Sequence, residues 1–390
     1  KRDQKEREIV QIIANSLANN EVREITSEEI LNEPIDSSIS LTTNRDEIKF
    51  TNPSIDLSNF QDLQYYGPAA LGTSPQNLEF VYDTGSSWIW ASAKGCSKCP
   101  GENRFDSSAS STFEESSERK ELFYGKGYAA GLISHDLIGL PNSEQTSAKF
   151  LPADESKDME GSKADGIIGL TPVGDDADLL VSKLAEAKII DGEEFTVYIG
   201  KENFDDSFID FGKNEEDQSE VTWLDLNILP GTEELIYWST DYSSISVGGE
   251  ALNLIRKSTV WDTGTSAIGF AGSDYKKVIA KITDGKKSIK TADGFVGVKC
   301  KSPSEIESLD IDFGDHTINV EAHEFVVEQK YLFQNYCFIL IFEINLPGAL
   351  LGDSFLRGSK IIHDQAGQRM GVFPQHHYFT SEAELIKESS

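Results

Sequence analysis

From residue 50 onward, short apolar runs alternate with turn residues along the chain. Glycine, asparagine, aspartate and serine separate these runs at short intervals, and few stretches have a helical repeat. Short apolar runs bounded by such residues are typical of β-strands. The pattern therefore predicts a mostly β protein, with short helices at 178–187 and 274–282, where apolar residues recur at the spacing of one helix face.

The first 49 residues differ from this strand-rich body. Ile9, Ile12 and Ile13 fall at helical spacing, and a second helical segment starts near Ser27 and ends before Pro34. The segment carries eleven acidic and seven basic residues. We therefore expect 1–49 to be a separate, partly helical unit.

A five-residue pattern occurs twice, once in each half of the strand-rich body. Each copy follows an apolar stretch, and each is followed further along by two apolar residues and a glycine, at 167–169 and 350–352. This weak internal repeat predicts two related β lobes that face each other, over 50–215 and 216–374, with a C-terminal tail at 375–390. The two copies are Asp83-Thr84-Gly85-Ser86-Ser87 and Asp262-Thr263-Gly264-Thr265-Ser266.

Aspartates presented by two matching turns are suited to acid–base chemistry. Two close carboxyl groups do not both ionise, so they share a proton in acid; one then acts as general base on a water while the other donates to a substrate carbonyl. Gly85 and Gly264 let the backbone pass close to the carboxylates, and the hydroxyls of Ser86 and Thr265 are placed to bond to them. One copy alone would be typical of a solvent-exposed turn, but two matched copies favour a two-aspartate site.

The charge of the chain argues against some partners. Acidic residues outnumber basic ones by 66 to 35, which gives a net charge of −31, while 38% hydrophobic residues suffice for a sizeable core. Nucleic acids and anionic membranes are bound by basic patches, so neither is expected as a partner. The acidic balance is explained either by solubility alone or by work in an acidic compartment. No apolar stretch is long enough to span a bilayer.

Four cysteines raise the alternatives of a metal site, a redox site and disulfides. Cys96 and Cys99 form a C-x-x-C pair, whereas Cys300 and Cys337 stand apart, so the compact spacing of four zinc ligands is missing. A thioredoxin-like motif would need a βαβ context, which the pattern lacks. An even count in a chain with the features of an exported protein favours two disulfides.

Further motifs, in sequence order, resemble those of the pepsin-type aspartic proteases, close to the pepsin and cathepsin D group. The resemblance extends from about residue 50 to 374. Besides the two aspartate turns it rests on Tyr65-Tyr66-Gly67, Trp88-Ile89-Trp90, Tyr124-Gly125-Lys126-Gly127, Tyr237-Trp238 and the segments 164–170, 350–355 and 371–374.

This resemblance implies a bilobal, mostly β aspartic endopeptidase that hydrolyses peptide bonds at acidic pH. Water would be activated between Asp83 and Asp262, without a cofactor or a metal, and the substrate would be an extended peptide or unfolded protein. The protein would be secreted or would lie in a lysosome or another acidic vacuole, and we expect a monomer. Residues 1–49 would be an inhibitory propeptide, the alternative being an uncleaved extension. The implied disulfides are Cys96–Cys99 and Cys300–Cys337.

The resemblance also assigns a flap that closes over the substrate. Tyr124, Gly125 and Lys126 occupy the tip of this flap, Trp90 is the indole whose N–H pairs with the tyrosine, and Tyr237 is a substrate-binding position. Some residues depart from the family pattern and argue against a simple preference for large aromatic side chains. They are Lys126 in place of threonine or serine, Trp88 in place of asparagine, Ala164 in place of phenylalanine, and 158–159 in place of another apolar residue.

A rival interpretation is a catalytically silent protein of the same fold that binds peptides, because fold does not fix function. Such proteins usually lose a catalytic aspartate, its glycine or the flap tyrosine. All of these are intact in both halves of this chain, so the sequence favours an enzyme.

Overall fold

The computed structural model describes residues 50–174, 176–201, 206–291, 294–331 and 334–374. The segments 1–49 and 375–390, and the predictions made for them, lie outside the described residues. Most of the regular structure within these ranges is strand, so the mostly β prediction is confirmed. No helix in this part of the chain is long and apolar enough to cross a membrane.

The elements of the described residues are numbered in chain order. The first ten strands are β1 (Ser54–Phe60), β2 (Gln64–Leu71), β3 (Gln76–Asp83), β4 (Ile89–Ser92), β5 (Glu114–Phe123), β6 (Tyr128–Gly139), β7 (Gln145–Lys157), β8 (Gly166–Gly169), β9 (Glu194–Tyr198) and β10 (Ser207–Phe211). The next eight are β11 (Thr222–Asp225), β12 (Ser239–Asp241), β13 (Ser244–Val247), β14 (Glu250–Ala251), β15 (Ser258–Trp261), β16 (Ile268–Ala271), β17 (Ser288–Lys290) and β18 (Val296–Lys299). The last eight are β19 (Leu309–Asp312), β20 (Thr317–Val320), β21 (Val326–Tyr331), β22 (Gln334–Ile339), β23 (Ile341–Ile344), β24 (Ala349–Leu351), β25 (Lys360–Asp364) and β26 (Arg369–Val372). The α-helices are α1 (Leu180–Glu186), α2 (Gly272–Thr283), α3 (Ala322–Phe325) and α4 (Asp353–Leu356), and single 3-10 turns lie at Ser107–Ala109 and Pro303–Glu305.

Both aspartate turns are built on the same four-strand arrangement. In the order β3-β8-β4-β7, neighbouring strands pair parallel, antiparallel and parallel. The same three senses recur in the order β15-β24-β16-β23. The strands β8 and β24 contain the apolar pairs of the internal repeat. Each half therefore presents its aspartate at the end of a strand in the same way.

One large sheet contains strands from both halves of the chain. Its order is β11-β26-β25-β9-β10-β1-β2-β3-β8-β4-β7-β6-β5 within the described residues. Strand β25, from the end of the chain, pairs antiparallel with β9, and His363 lies opposite Phe195 in this register. Because strands from distant parts of the sequence share these hydrogen bonds, the sheet fixes the two halves relative to each other.

The strands that lead into the aspartates are buried on both faces where they approach the turns. Strand β2 alternates between half-buried and buried positions, as expected for a strand with one face on the core. By contrast, the last four residues of β3 and all four residues of β15 are buried. Strands covered on both faces have continuous apolar runs, which explains the apolar stretch before each aspartate turn in the sequence.

The two predicted helices are confirmed with small changes at their ends. Helix α1 lies within the predicted range 178–187, and α2 contains the whole of 274–282. Helix α2 ends at Thr283, and the residue that caps it, Asp284, has a left-handed backbone with a φ of 43°.

All four cysteines are paired in the structure. The bonds are Cys96–Cys99 and Cys300–Cys337, as the family resemblance implies. The second closes a ring with a sequence separation of 37 residues. A ring of this size restricts the unfolded chain enough to contribute about 4 kcal/mol in the chain-entropy model.

Candidate active site

The two aspartates lie at the ends of their buried strands. Backbone hydrogen bonds with β24 and with the residue just after β8 hold them there. The backbone N–H of Leu170, just after β8, donates to the Asp83 carbonyl at 2.8 Å. In the second half, the Asp262 N–H donates to the carbonyl of Leu351 in β24 at 3.0 Å. Both aspartates are buried, with exposed fractions of 5% and 9%.

The threonines that follow the aspartates join the two turns by reciprocal hydrogen bonds. The Thr84 N–H donates to Thr263 Oγ1 at 3.1 Å, and the Thr263 N–H donates to Thr84 Oγ1 at 3.0 Å. Each hydroxyl then donates across to the other half, Thr84 to the Trp261 carbonyl at 2.9 Å and Thr263 to the Tyr82 carbonyl at 2.5 Å. All of these bonds are buried, so the two turns form one rigid unit.

The residues predicted to support each carboxylate do bond to it. Asp83 accepts from the Gly85 N–H at 2.8 Å and from the Ser86 hydroxyl at 2.5 Å. Asp262 accepts from the Gly264 N–H at 2.8 Å and from the Thr265 hydroxyl at 2.7 Å. The two sets of bonds correspond atom for atom, and they fix the orientation of both carboxyl groups.

Each carboxylate also lies against the glycine of the opposite turn. A Cβ added to Gly85 would lie 2.5 Å from an oxygen of Asp262, and one added to Gly264 would lie 2.3 Å from an oxygen of Asp83. No side chain fits at these distances. The glycines are therefore required for the close approach of the two aspartates.

Burial and the neighbouring carboxylate both affect the protonation of the pair. Burial, followed by the charge of Asp262, raises the pKa of Asp83 well above its usual range, against the opposing effect of the Ser86 hydroxyl. Two interacting carboxyl groups titrate as a pair with apparent pKa values that belong to both. The geometry thus holds one proton on the pair under conditions in which isolated aspartates would be ionised.

The predicted flap is the hairpin of β5 and β6, whose tip is Tyr124 to Gly127. The Tyr124 N–H donates to the Gly127 carbonyl at 3.0 Å. Gly127 has a φ of 79°, and a Cβ there would lie 2.1 Å from the Lys157 carbonyl oxygen, so this position requires glycine. Gly125 has open space around it, and Lys126 is exposed at the tip.

Tyr124 faces the aspartate pair from this hairpin. Burial and then the charge of Asp83 raise the pKa of its hydroxyl, while Trp90 and Ser86 oppose the rise. The rings of Tyr124 and Trp90 are 6.4 Å apart. The Trp90 N–H lies close enough to the Tyr124 hydroxyl to oppose the rise of its pKa, but it does not meet the geometry of a standard hydrogen bond.

Other predicted positions lie in apolar surroundings. Tyr237 is half-buried and packs against a cluster that contains Leu229, Val260 and Leu350. Met159 packs against the cluster that contains Trp88, Trp90 and Leu122, and Ala164 is buried. Within the described residues, no group of three histidine, cysteine, aspartate or glutamate side chains is arranged to hold a metal ion.

Sequence reasoning missed a third carboxyl group beside the pair. Asp353, at the start of α4, is 2% exposed, and its Oδ1 has no hydrogen-bond partner. Burial raises its pKa well above the usual range; Arg357 opposes this rise, and the charges of Asp262 and Asp83 add to it. Asp353 is therefore neutral in acid.

A buried ion-pair network next to Asp353 was also missed. Arg357 binds the Glu324 carboxylate and donates to the Asp62 carbonyl at 3.0 Å. Glu324 also accepts from His323 at 2.9 Å and lies 3.4 Å from the Lys201 ammonium. Burial alone would raise the pKa of Glu324, but the hydrogen bond from His323 and the charges of Arg357 and Lys201 lower it to about 2. The network thus connects segments far apart in the chain and stays ionised in acid.

A buried histidine lies beneath the aspartate turns. His363 in β25 is 2% exposed, stacks on Phe195 with ring centroids 4.4 Å apart, and meets Trp238 edge-on at 4.8 Å. It lines a narrow cavity together with Thr84 and Thr263, and its Nδ1 has no hydrogen-bond partner. Burial lowers the pKa of His363 from 6.5 to about 3.

We predict that His363 makes the fold less stable in acid. Above about pH 6.5 the imidazole is neutral in both the folded and the unfolded state. Below that value it is protonated in the unfolded chain, whereas in the folded protein it stays neutral down to about pH 3. His363→Phe keeps the stack on Phe195 and removes this cost. Since one unit of pKa difference is about 1.4 kcal/mol, the variant should gain on the order of 4 kcal/mol near pH 3.

Urea unfolding of both proteins across the acid range measures this gain. His135→Phe, which replaces an exposed histidine, is the matched control. A difference between His363→Phe and the unmodified protein that is the same at neutral and acidic pH would contradict the prediction.

Comparison with known proteins agrees with this geometry. The family model for eukaryotic aspartyl proteases matches residues 64–375. Vacuolar protease A of Aspergillus fumigatus is 27% identical over 81% of this chain and 80% of its own length. Vacuolar protease A of Arthroderma otae is 26% identical, over 81% of this chain and 79% of its own length. Pepsin A of Suncus murinus is 29% identical over 82% of each chain.

Proposed function

Since this chain belongs to the eukaryotic aspartyl protease family and is an aspartic endopeptidase, we propose that Asp83 and Asp262 are its catalytic pair and that it acts at acidic pH. The observation that carries this proposal is the matched geometry of the two turns. Each carboxylate has an N–H and a hydroxyl donor of its own, and each lies against the glycine of the other turn.

The proposed reaction uses the single proton that the pair holds. The ionised carboxylate takes a proton from water as its oxygen attacks the peptide carbonyl carbon, and the protonated carboxyl donates its proton to the carbonyl oxygen. The tetrahedral intermediate is a neutral diol, and it then collapses: the carboxyl that took the proton from water gives it to the nitrogen, the C–N bond breaks, and one diol hydroxyl gives its proton to the other carboxylate. A carboxylic acid and an amine leave, and the pair again holds one proton for the next cycle.

The hairpin over the pair supports an extended peptide as substrate. A peptide in strand conformation would lie between the lobes, beneath Tyr124, and closure of the hairpin would exclude water. The relatives named as vacuolar proteases and pepsins support a location outside the cytosol, by secretion or in an acidic vacuole.

Hydrolysis of denatured haemoglobin at low pH tests the proposed function. The purified chain would be assayed before and after incubation in acid, because we expect 1–49 to act as a propeptide. Asp83→Asn is the matched control and should give far fewer fragments in the same time. A chain that binds peptides but cleaves none under either condition would instead support the silent peptide-binding alternative.

We predict that Lys126 influences substrate choice. Its cation lies at the hairpin tip, where it would face the bound peptide in a partly closed site with reduced screening. It should favour an acidic or polar residue next to the scissile bond and disfavour a basic one. Lys126→Thr should remove this preference and leave the maximal rate largely unchanged, which cleavage profiles of a peptide library would reveal.

The control for this profile is Lys287→Thr, which removes an exposed lysine from the other half of the chain. Its profile should coincide with that of the unmodified protein. If the Lys126→Thr profile coincides as well, Lys126 has no part in specificity.

A further inference from the structure

Trp88, next to the first aspartate turn, contacts several charged side chains. It follows Asp83-Thr84-Gly85-Ser86-Ser87 directly and is 5% exposed. Around its ring lie two lysines and an aspartate from three other segments. We call Trp88, Lys120, Lys149 and Asp176 the tryptophan cluster.

The four residues of the tryptophan cluster contact one another through hydrogen bonds, an ion pair and cation–π contacts. The Trp88 indole N–H donates to Asp176 Oδ1 at 3.1 Å, and the Lys120 ammonium binds the other oxygen of the same carboxylate. The Lys120 nitrogen also lies 4.6 Å from the centre of the Trp88 ring. Lys149 lies 5.8 Å from the ring and donates to the Asp176 carbonyl at 2.5 Å. Cations over an indole face are attracted to it, most strongly where water is excluded.

Lys120 connects the tryptophan cluster to the flap hairpin. Lys120 belongs to β5, the outer strand of the flap hairpin, four residues before Tyr124. The pairing of β5 with β6 has a register shift between Glu115 and Arg119. Lys120 is thus on the tip side of this irregularity, and a strand bends at such a point.

We propose that Trp88 and Lys120 are positioning residues that hold the flap hairpin over the aspartate pair, by fixing β5 to the segment that follows the first aspartate turn. This inference rests on the proposed function of the pair and the hairpin. The cluster connects the two directly: Ser86 bonds to Asp83, Trp88 follows two residues later, and Lys120 leads to Tyr124.

The tryptophan cluster is suited to acidic conditions. Burial alone would raise the pKa of Asp176, but the hydrogen bonds from Lys120 and Trp88 lower it below the usual value. Asp176 therefore stays ionised to lower pH than an isolated aspartate. Acid therefore weakens the contact with Lys120 less than it would weaken a contact with an isolated aspartate.

Strand β5 offers a matched control in the neighbouring residue. Arg119 lies on the opposite face of β5, because successive side chains of a strand alternate. It bonds to Asp154 at 2.9 and 3.0 Å and to Glu155 at 3.1 Å, both in β7. Arg119→Met therefore removes a cation from the same strand without touching Trp88.

The experiment compares Lys120→Met with Arg119→Met on a fluorogenic peptide derived from haemoglobin. Lys120→Met should raise KM about tenfold with a much smaller change in kcat, since loss of a contact worth about 1.4 kcal/mol makes the closed hairpin correspondingly rarer. Arg119→Met should change KM little. Lys120→Arg, which retains a cation over the ring, should restore most of the affinity.

Hydrogen exchange of the hairpin supplies a readout that does not depend on activity. In an Asp83→Asn background, Lys120→Met should speed exchange in 121–130 more than Arg119→Met does. This comparison separates the two proposals, because it holds even if the aspartates have another role. Equal effects of the two substitutions on KM and on exchange, or no effect of Lys120→Met on either, would overturn the inference.

Discussion

Each of the two single substitutions, Asp83→Asn and Asp262→Asn, should lower kcat by about a thousandfold while the fold is retained. The two carboxyl groups have separate roles, one as base toward water and the other as proton donor toward the carbonyl oxygen. Asparagine fills the same volume; its amide oxygen still accepts from the turn N–H, and its NH2 group donates to the neighbouring hydroxyl, so the turns remain in place. It neither takes nor gives the proton, and steady-state kinetics on the peptide substrate would show the loss.

Asp353→Asn is the matched control for these variants. Asp353 is a buried carboxyl group beside the pair whose raised pKa keeps it neutral in acid, so a neutral amide is a close substitute there. This variant should keep kcat within about tenfold of the unmodified protein. Substantial turnover by a correctly folded Asp83→Asn or Asp262→Asn protein would contradict the proposed roles of the two aspartates as base and proton donor.

Breaking the buried pair between Arg357 and Glu324 should cost about 3–5 kcal/mol of the free energy of unfolding. Arg357→Met leaves the Glu324 carboxylate buried at 7% exposure, with only the Lys201 ammonium and a hydrogen bond from His323 beside it. Glu324→Gln leaves the guanidinium buried without its counterion. The penalty is large because a buried charge without a partner is poorly solvated.

The pH dependence of this loss follows from the pKa of Glu324, which is lowered to about 2 in the folded protein. A lowered carboxylate pKa stabilises the fold above the unfolded value of 4.5, and this contribution disappears as the pH falls through about 2. The difference between Glu324→Gln and the unmodified protein should therefore be largest above pH 4.5.

Urea unfolding in the Asp83→Asn background avoids self-digestion in this measurement. The exposed pair Lys183–Glu186 provides a control, because Glu186→Gln should change stability by less than about 1 kcal/mol. Equal, small losses for Glu324→Gln and Glu186→Gln would show that the network does not stabilise the fold.

The features that the sequence predicted are those encoded within a few residues. The two aspartate turns, their glycines and hydroxyls, and the apolar strands before them are local patterns. Their repetition indicated two related lobes, and the structure shows the same four-strand order in each. The hairpin tip was recognisable because Gly125 and Gly127 flank Lys126 within one turn.

The features that were missed depend on contacts between distant segments. Thr84 and Thr263 were recognised only as parts of a motif, since their bonds join positions 179 residues apart. The bond from Arg357 to the Asp62 carbonyl spans 295 residues. Nothing in the local sequence around His363 predicts a buried imidazole, because its stack on Phe195 arises from the pairing of β25 with β9.

The contacts of Trp88 also join residues that are far apart in the sequence. Sequence comparison marked it as a departure from the family pattern but gave no role for it. Its partners Lys120 and Asp176 are 32 and 88 residues away, and only the fold brings them to one ring.

The dependence of kcat on pH tests most directly whether two aspartates share one proton in the reaction. Burial and the charge of Asp262 raise the pKa of Asp83, so the pair keeps its proton in acid and loses it as the pH rises. We expect a bell-shaped profile with its maximum in acid, falling on the alkaline side as the pair loses its proton and on the acid side as the base becomes protonated. A rate that peaks above neutrality would contradict the account.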